Sequence, residues 1–180
     1  MAAAVALVLV CAQLAGIEPL QYQRDRIFDG QLWRLISAHA VHLGWGHALL
    51  NFLAFVLIVA IFPESLLHRA GAWLFVASVL SVDAGLLLWR PEILWYVGLS
   101  GVLHGLLAGA CVLAGRRLEG RILLLMLAAK IIWEQSRGAL PSTATLAGGP
   151  VVVDAHLFGA IGGLIWGIFV LLHRRRQQAL

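Results

Sequence analysis

The sequence predicts an all-α polytopic membrane protein: one bundle of about six transmembrane helices using residues 1–180 as a single domain. Three observations lead there. Of the 180 residues, 61% are hydrophobic and 12% charged, whereas soluble domains are nearer half apolar and a quarter charged. Mean hydropathy is +0.90, which leaves too little polar surface to coat a globule in water, so the lipid bilayer is the expected solvent. Finally, six apolar segments recur, roughly 2–17, 46–62, 70–89, 97–115, 121–138 and 150–172. Each is about long enough to cross a ~30 Å hydrocarbon core at 1.5 Å per residue.

The first segment lacks a positive n-region, and Val8-Leu9-Val10-Cys11 is a poor lipoprotein box. It therefore reads as a membrane helix, not a signal peptide. It starts without a cytoplasmic leader, as a trimmed N-terminus would. Cys11 and Cys111 lie in apolar runs without metal-ligand or redox spacing and read as small core residues. The connector 18–45 differs from the other loops: it sets Glu18, Arg24, Asp25, Arg26, Asp29 and Arg34 among Phe28, Leu32, Trp33, Leu35 and Ile36. That composition predicts a structured loop lying partly in the membrane interface.

Net charge is +4 with a pI near 9.8, but the basic residues sit in short loops and in the tail 173–180. They imply orientation and no nucleic-acid partner. With six spans the termini share a side, which holds Arg69, Arg116, Arg117, Arg121, Arg174, Arg175 and Arg176 against Arg24, Arg26, Arg34, Arg90 and Arg137 opposite. The positive-inside rule places the termini in the cytoplasm and the connector 18–45 outside.

Polar side chains within membrane helices are costly, so each requires an account. Three clusters lie near the outer ends of their helices. His47 and Asn51, four apart at the start of the second span, share a face and can donate toward a common point, with His39 and His42 just before them. Gly98-Leu99-Ser100-Gly101 opens the fourth span. A serine between glycines at a helix N-terminus is approachable, and its backbone N–H favours an anion, as a nucleophile with an oxyanion hole requires. His104 lies one turn on. Asp154-Ala155-His156 opens the sixth span, with His156 the candidate base.

Two glycine stripes make the last two clusters neighbours. Gly101, Gly105 and Gly109 recur every four residues in the fourth span, and Gly159, Gly163 and Gly167 do so in the sixth. Such stripes let helix backbones approach closely. Stripes that face each other bring Ser100 and His156 within hydrogen-bond reach. No third carboxylate is obvious, so the expectation is a Ser–His dyad. Lys130 and Glu134, one turn apart in the fifth span, read either as a mutually neutralising buried pair or as the border of a substrate gate. Asp83 is assigned no role.

These residues resemble the rhomboid family of intramembrane proteases. Trp33-Arg34 is similar to its WR motif, and His47-x-x-x-Asn51 to its HxxxN, with His42 five residues earlier as in bacterial members. Gly98-x-Ser100-Gly101 is similar to its GxSG, and Ala155-His156-x-x-Gly159-x-x-x-Gly163 to its AHxxGxxxG. The resemblance runs from Trp33 to Gly167. It implies a six-helix bundle in a bacterial inner membrane with a cavity open to the periplasmic side. Ser100 would be the nucleophile, His156 the general base, and the Ser100 N–H, His47 and Asn51 the oxyanion hole, with no metal or cofactor. Many rhomboids stack an aromatic, four residues after the serine, on the catalytic histidine; here His104 takes that place. The compact chain, the stretch 98–105, and Lys130 with Trp133-Glu134-Gln135 resemble the rhombosortase branch. Its members are thought to process exported proteins with a C-terminal Gly-Gly motif, membrane helix and basic tail. Three other readings compete: a general rhomboid protease of other single-span substrates, a non-catalytic rhomboid-like protein that binds membrane clients, and a haem protein using pairs among His47, His104 and His156. Hydrolysis versus acyl transfer, and oligomeric state, stay open.

Overall fold

Six long helices follow the six apolar segments, and the polar connectors between them carry the short elements. The computed structural model describes residues 2–115 and 117–178; Arg116, counted above in the charge asymmetry, lies outside them. The chain begins with α1 (Ala2–Ala15), which ends at Gly16. The first connector holds a strand, β1 (Tyr22–Gln23), and two short helices, α2 (Arg24–Phe28) and α3 (Arg34–Ser37). Then come α4 (Trp45–Ile61), the turn α5 (Pro63–Leu66) and α6 (Arg69–Trp89). Proline at the first position of α5 removes an amide that has no helical acceptor there. After β2 (Trp95–Tyr96) follow α7 (Ser100–Leu113), α8 (Leu118–Arg137), α9 (Pro141–Ala147) and α10 (Val153–Gln178).

By length and composition α6 and residues 153–177 of α10 suffice to cross a membrane. α1, α4 and α7 are apolar but shorter, with 14, 17 and 14 residues. α8 has 20 residues and carries Glu119, Arg121, Lys130, Glu134 and Arg137. Two boundaries and one element differ from the sequence reading. Residues 97–99 form a turn outside the helix, so the fourth helix opens at Ser100 itself. α10 runs on through the described part of the basic tail, because nothing after Leu172 breaks a helix. The short helix α9 was not expected.

The outer surface is apolar, unlike that of a water-soluble domain. Leu7, Leu14, Leu57, Trp73, Leu80, Leu125 and Ile165 point outward, all more than half exposed, while Asn51, Ser78, Asp83, Glu134 and His156 are buried. Water would reverse that distribution; a bilayer explains it. The chain is an integral membrane protein.

α7 sits centrally and packs most extensively on α10, then on α6. The glycine stripes face each other in register. An added Cβ on Gly159 would strike the Gly101 carbonyl, and one on Gly163 the Gly105 carbonyl. On Gly109 it would lie 2.8 Å from the Gly163 carbonyl. Main chain therefore touches main chain along the seam. α6 closes the other side of both helices: a Cβ on Gly105 would strike Ser78, one on Gly162 would strike Ser81, and Ser81 Oγ donates to the Phe158 carbonyl at 2.7 Å.

Arg34 organises the first connector. It is buried, and it donates to the carbonyls of Glu18 and Gln21 at 2.8 and 2.9 Å and to Gln31 Oε1 at 2.8 Å. Arg24 caps the end of α6 through the carbonyls of Leu86 and Leu87 at 3.1 and 2.8 Å. β1 pairs antiparallel with β2, Tyr22 opposite Tyr96, which ties this connector to the segment just before Ser100. Phe28, Leu32, Trp33 and Ile36 stay more than half exposed on its outer face.

Candidate active site

The local chain explains where Ser100 stands. Tyr96 Oη donates to the Gly98 carbonyl at 2.5 Å, and the Gly98 N–H donates to the Ala38 carbonyl at 2.8 Å. Gly98 has φ +115°, and a Cβ there would lie 3.0 Å from His47 Cε1, so glycine is required both for the backbone and for the space. This turn ends the extended segment and starts α7 with Ser100 as its first residue.

His42 steadies the same turn. Leu99 N–H donates to His42 Nε2 at 3.2 Å, and His42 Nδ1 donates to the Ala40 carbonyl at 3.2 Å. Both bonds suit the neutral ring. Burial, with the neighbouring His47, pushes the His42 pKa down to about 3, so it stays neutral in the physiological range. Gln13 on α1 grips the His42 backbone from behind: its Oε1 accepts the His42 N–H and its Nε2 donates to the His42 carbonyl, both at 3.2 Å.

The seam fixes the partner. A Cβ on Gly101 would lie 2.8 Å from the Ala155 carbonyl, so the first turns of α7 and α10 abut. Ser100 and His156 are the residues beside that contact. Ser100 Oγ lies 3.0 Å from His156 Nε2. The His104 ring stacks on His156, centroids 4.1 Å apart and planes 9° from parallel. The histidine in the aromatic position thus makes the stack an aromatic would.

The sequence reading saw no third carboxylate for His156. The structure places one: Glu134 Oε2 is 2.9 Å from His156 Nδ1, both residues buried. Lys130 Nζ is 2.6 Å from Glu134 Oε1, 2.9 Å from His104 Nε2 and 3.4 Å from His156 Nδ1. His104 Nδ1 donates to the Ser100 carbonyl at 2.7 Å. The expected Lys130–Glu134 pair forms, and its carboxylate also faces the histidine. Asp83 pairs with His39 at 3.2 Å, away from this cluster.

His104, Glu134 and His156 present ligand-type atoms within 4.8 Å of one another, a possible cation position. The Lys130 ammonium already fills it, contacting all three residues.

His47 and Asn51 stand across from the serine on α4. Asn51 Nδ2 donates to the His47 carbonyl at 2.9 Å, which fixes its amide, and His47 Nδ1 is buried without a partner among the described residues. With Ser100, His104, Lys130 and His156 they line a cavity of about 540 Å³. The rest of its wall is apolar, with Leu50 and Leu57 from α4, Leu123 and Met126 from α8, and Leu146 from α9. Trp33 lies outside this site, donating from Nε1 to the Pro19 carbonyl at 3.3 Å, and Arg34 acts through the connector. At the rim, Arg90 Nε donates to Asp154 Oδ1 at 2.7 Å, pinning the start of α10 to the end of α6, a contact the sequence reading missed.

A half-buried serine paired with a buried histidine beside an apolar cavity in a helical membrane protein is a setting for nucleophilic chemistry on an apolar substrate. No curated protein matches the chain. The family model described as Rhomboid domain matches residues 29–173, most of its length. This chain belongs to the rhomboid family, the intramembrane serine proteases.

Proposed function

We propose that this chain is a six-span intramembrane serine endopeptidase in which Ser100 is the nucleophile and His156 the general base. The observation that carries the proposal is the 3.0 Å approach of Ser100 Oγ to His156 Nε2 at the mouth of a cavity. His156 takes the hydroxyl proton as Oγ attacks the scissile carbonyl, and returns it to the leaving amine. The oxyanion is held by the Ser100 N–H, which as the first amide of α7 has no helical acceptor, together with His47 and Asn51. His47 and Asn51 line the same cavity as Ser100, which supports this role. Each such donor contributes about 3 kcal/mol. Water, or an amine in a transfer reaction, then releases the acyl-enzyme.

The apolar cavity wall suits a membrane-anchored protein segment. Small residues at the cut site favour cleavage, because a substrate helix must unwind to present its backbone. The branch resemblance narrows the substrate to exported proteins with a Gly-Gly motif, a C-terminal membrane helix and a basic tail. The termini face the cytoplasm of the bacterial inner membrane, and the site opens to the periplasmic side.

The test is labelling by a fluorophosphonate probe in detergent. The native protein is expected to react, and Ser100→Ala and His156→Ala to lose the signal. Labelling that persists in Ser100→Ala rejects the nucleophile. A co-expressed Gly-Gly tailed reporter tests the branch: an uncut reporter beside a labelled enzyme rejects rhombosortase specificity and keeps the protease.

A further inference from the structure

We infer that Glu134 and Lys130 on α8 act as a positioning pair for the catalytic base, so that the site works as a Ser–His–Glu relay with a lysine clamp. This rests on the protease reading above. The geometry is a closed ring. Ser100 Oγ meets His156 Nε2 at 3.0 Å, His156 Nδ1 meets Glu134 Oε2 at 2.9 Å, and Glu134 Oε1 meets Lys130 Nζ at 2.6 Å. Lys130 Nζ meets His104 Nε2 at 2.9 Å, and His104 Nδ1 meets the Ser100 carbonyl at 2.7 Å. Every side chain in the ring uses one atom toward each neighbour.

The donor inventory then fixes both tautomers. An ammonium only donates, so His104 Nε2 is an acceptor and its Nδ1 carries the proton given to the Ser100 carbonyl. A carboxylate only accepts, so His156 Nδ1 carries a proton and Nε2 is bare toward the serine, which is the tautomer a general base needs. Lys130, 3.4 Å from the same Nδ1, competes poorly with a carboxylate oxygen at 2.9 Å. When Nε2 takes the serine proton, the new imidazolium sits between the carboxylate and the serine, and its charge is balanced where it forms. Lys130 keeps the pair neutral in the resting site, where a lone buried carboxylate would be costly. The His104 stack holds the ring plane at 9°, so rotation about the His156 side chain is blocked from the open side.

A merely structural ion pair makes a different forecast from a positioning pair, and Glu134→Gln separates them. In that variant Lys130 claims the amide oxygen. The amide NH2 then faces His156 Nδ1 and forces the proton onto Nε2, the wrong tautomer. The maximal rate of labelling by a saturating fluorophosphonate probe should fall by about 10²–10⁴-fold, the contribution of a positioned general base, with probe affinity unchanged. Adding Lys130→Met to Glu134→Gln frees the amide oxygen to accept from Nδ1 and should restore much of the lost rate. Thermal unfolding in detergent checks that each variant is folded. A Glu134→Gln rate within about threefold of native, or a double variant no faster than the single, overturns the relay.

A second measurement does not depend on activity. In protein labelled with 15N-histidine, His156 should carry its proton on Nδ1 in the native chain and on Nε2 in Glu134→Gln, assigned by the resonance missing in His156→Asn. An unlabelled native enzyme rejects the protease reading alone, while a native His156 protonated on Nε2 rejects the positioning pair alone.

Discussion

The two sides of α7 are built on different principles. Toward α10 the contact is main chain against main chain, with no room for a single Cβ at Gly159 or Gly163. Toward α4 and α8 the same helix borders a cavity of about 540 Å³ walled mostly by apolar side chains. The tight side holds the serine and the histidine together. The loose side is where another chain can lie. A site that must fix two reacting atoms yet admit a bulky partner separates those tasks onto opposite faces of one helix, and the stiffness of one face lets the other be open.

The hardest test of that contrast is to force a side chain into the seam. Gly163→Leu drives a side chain into the Gly105 backbone, which cannot yield as a flexible side chain would. A loss of more than about 3 kcal/mol is expected, with probe labelling abolished and detergent unfolding shifted far down. Filling the open side should do the reverse. Ala54→Trp, on the cavity wall of α4, is expected to cut reporter cleavage at least about tenfold while the unfolding temperature holds. If both substitutions destabilise equally, the two faces are not distinct.

His42 sharpens the boundary between them, since it braces the turn that starts α7 from the α4 side. Its folded pKa of about 3 lies below the value near 6.5 expected for the unfolded chain. The unfolded state therefore binds the extra proton first, and stability is lost as pH falls through that window, by up to about 1.4 kcal/mol per unit. Unfolding temperatures measured from pH 6.5 to 4 should drop less steeply in His42→Asn, whose amide oxygen can accept the Leu99 N–H without titrating. The smallest effect is expected at Met126→Ala on the far wall of the cavity. Met126 is largely exposed, so stability should change by less than about 1 kcal/mol, with any change in cleavage falling on KM.

Much of this arrangement was legible in the sequence because membrane burial leaves few reasons for a polar or glycine residue to persist. The four-residue glycine spacing fixed which faces of the fourth and sixth helices meet, and that one inference carried Ser100 to His156. The Lys130–Glu134 pairing was also readable from its spacing within a helix. Its meeting with His156 was not, because that depends on the depth and rotation of α8 relative to two other helices, which no pattern within the fifth segment encodes. These arginine contacts escaped for the same reason: Arg34, Arg24 and Arg90 satisfy carbonyls and carboxylates that are 13 to 64 residues away in sequence. Short helices such as α9 carry too few residues to show a period.

The all-backbone contact between α7 and α10 has a consequence for how this molecule can change. A distance set by peptide geometry does not drift when neighbouring side chains adopt other rotamers or are replaced. The walls facing α4, α8 and α9 can therefore be rewritten for new clients, one residue at a time, without detuning the reactive pair, and selectivity becomes a separately adjustable trait.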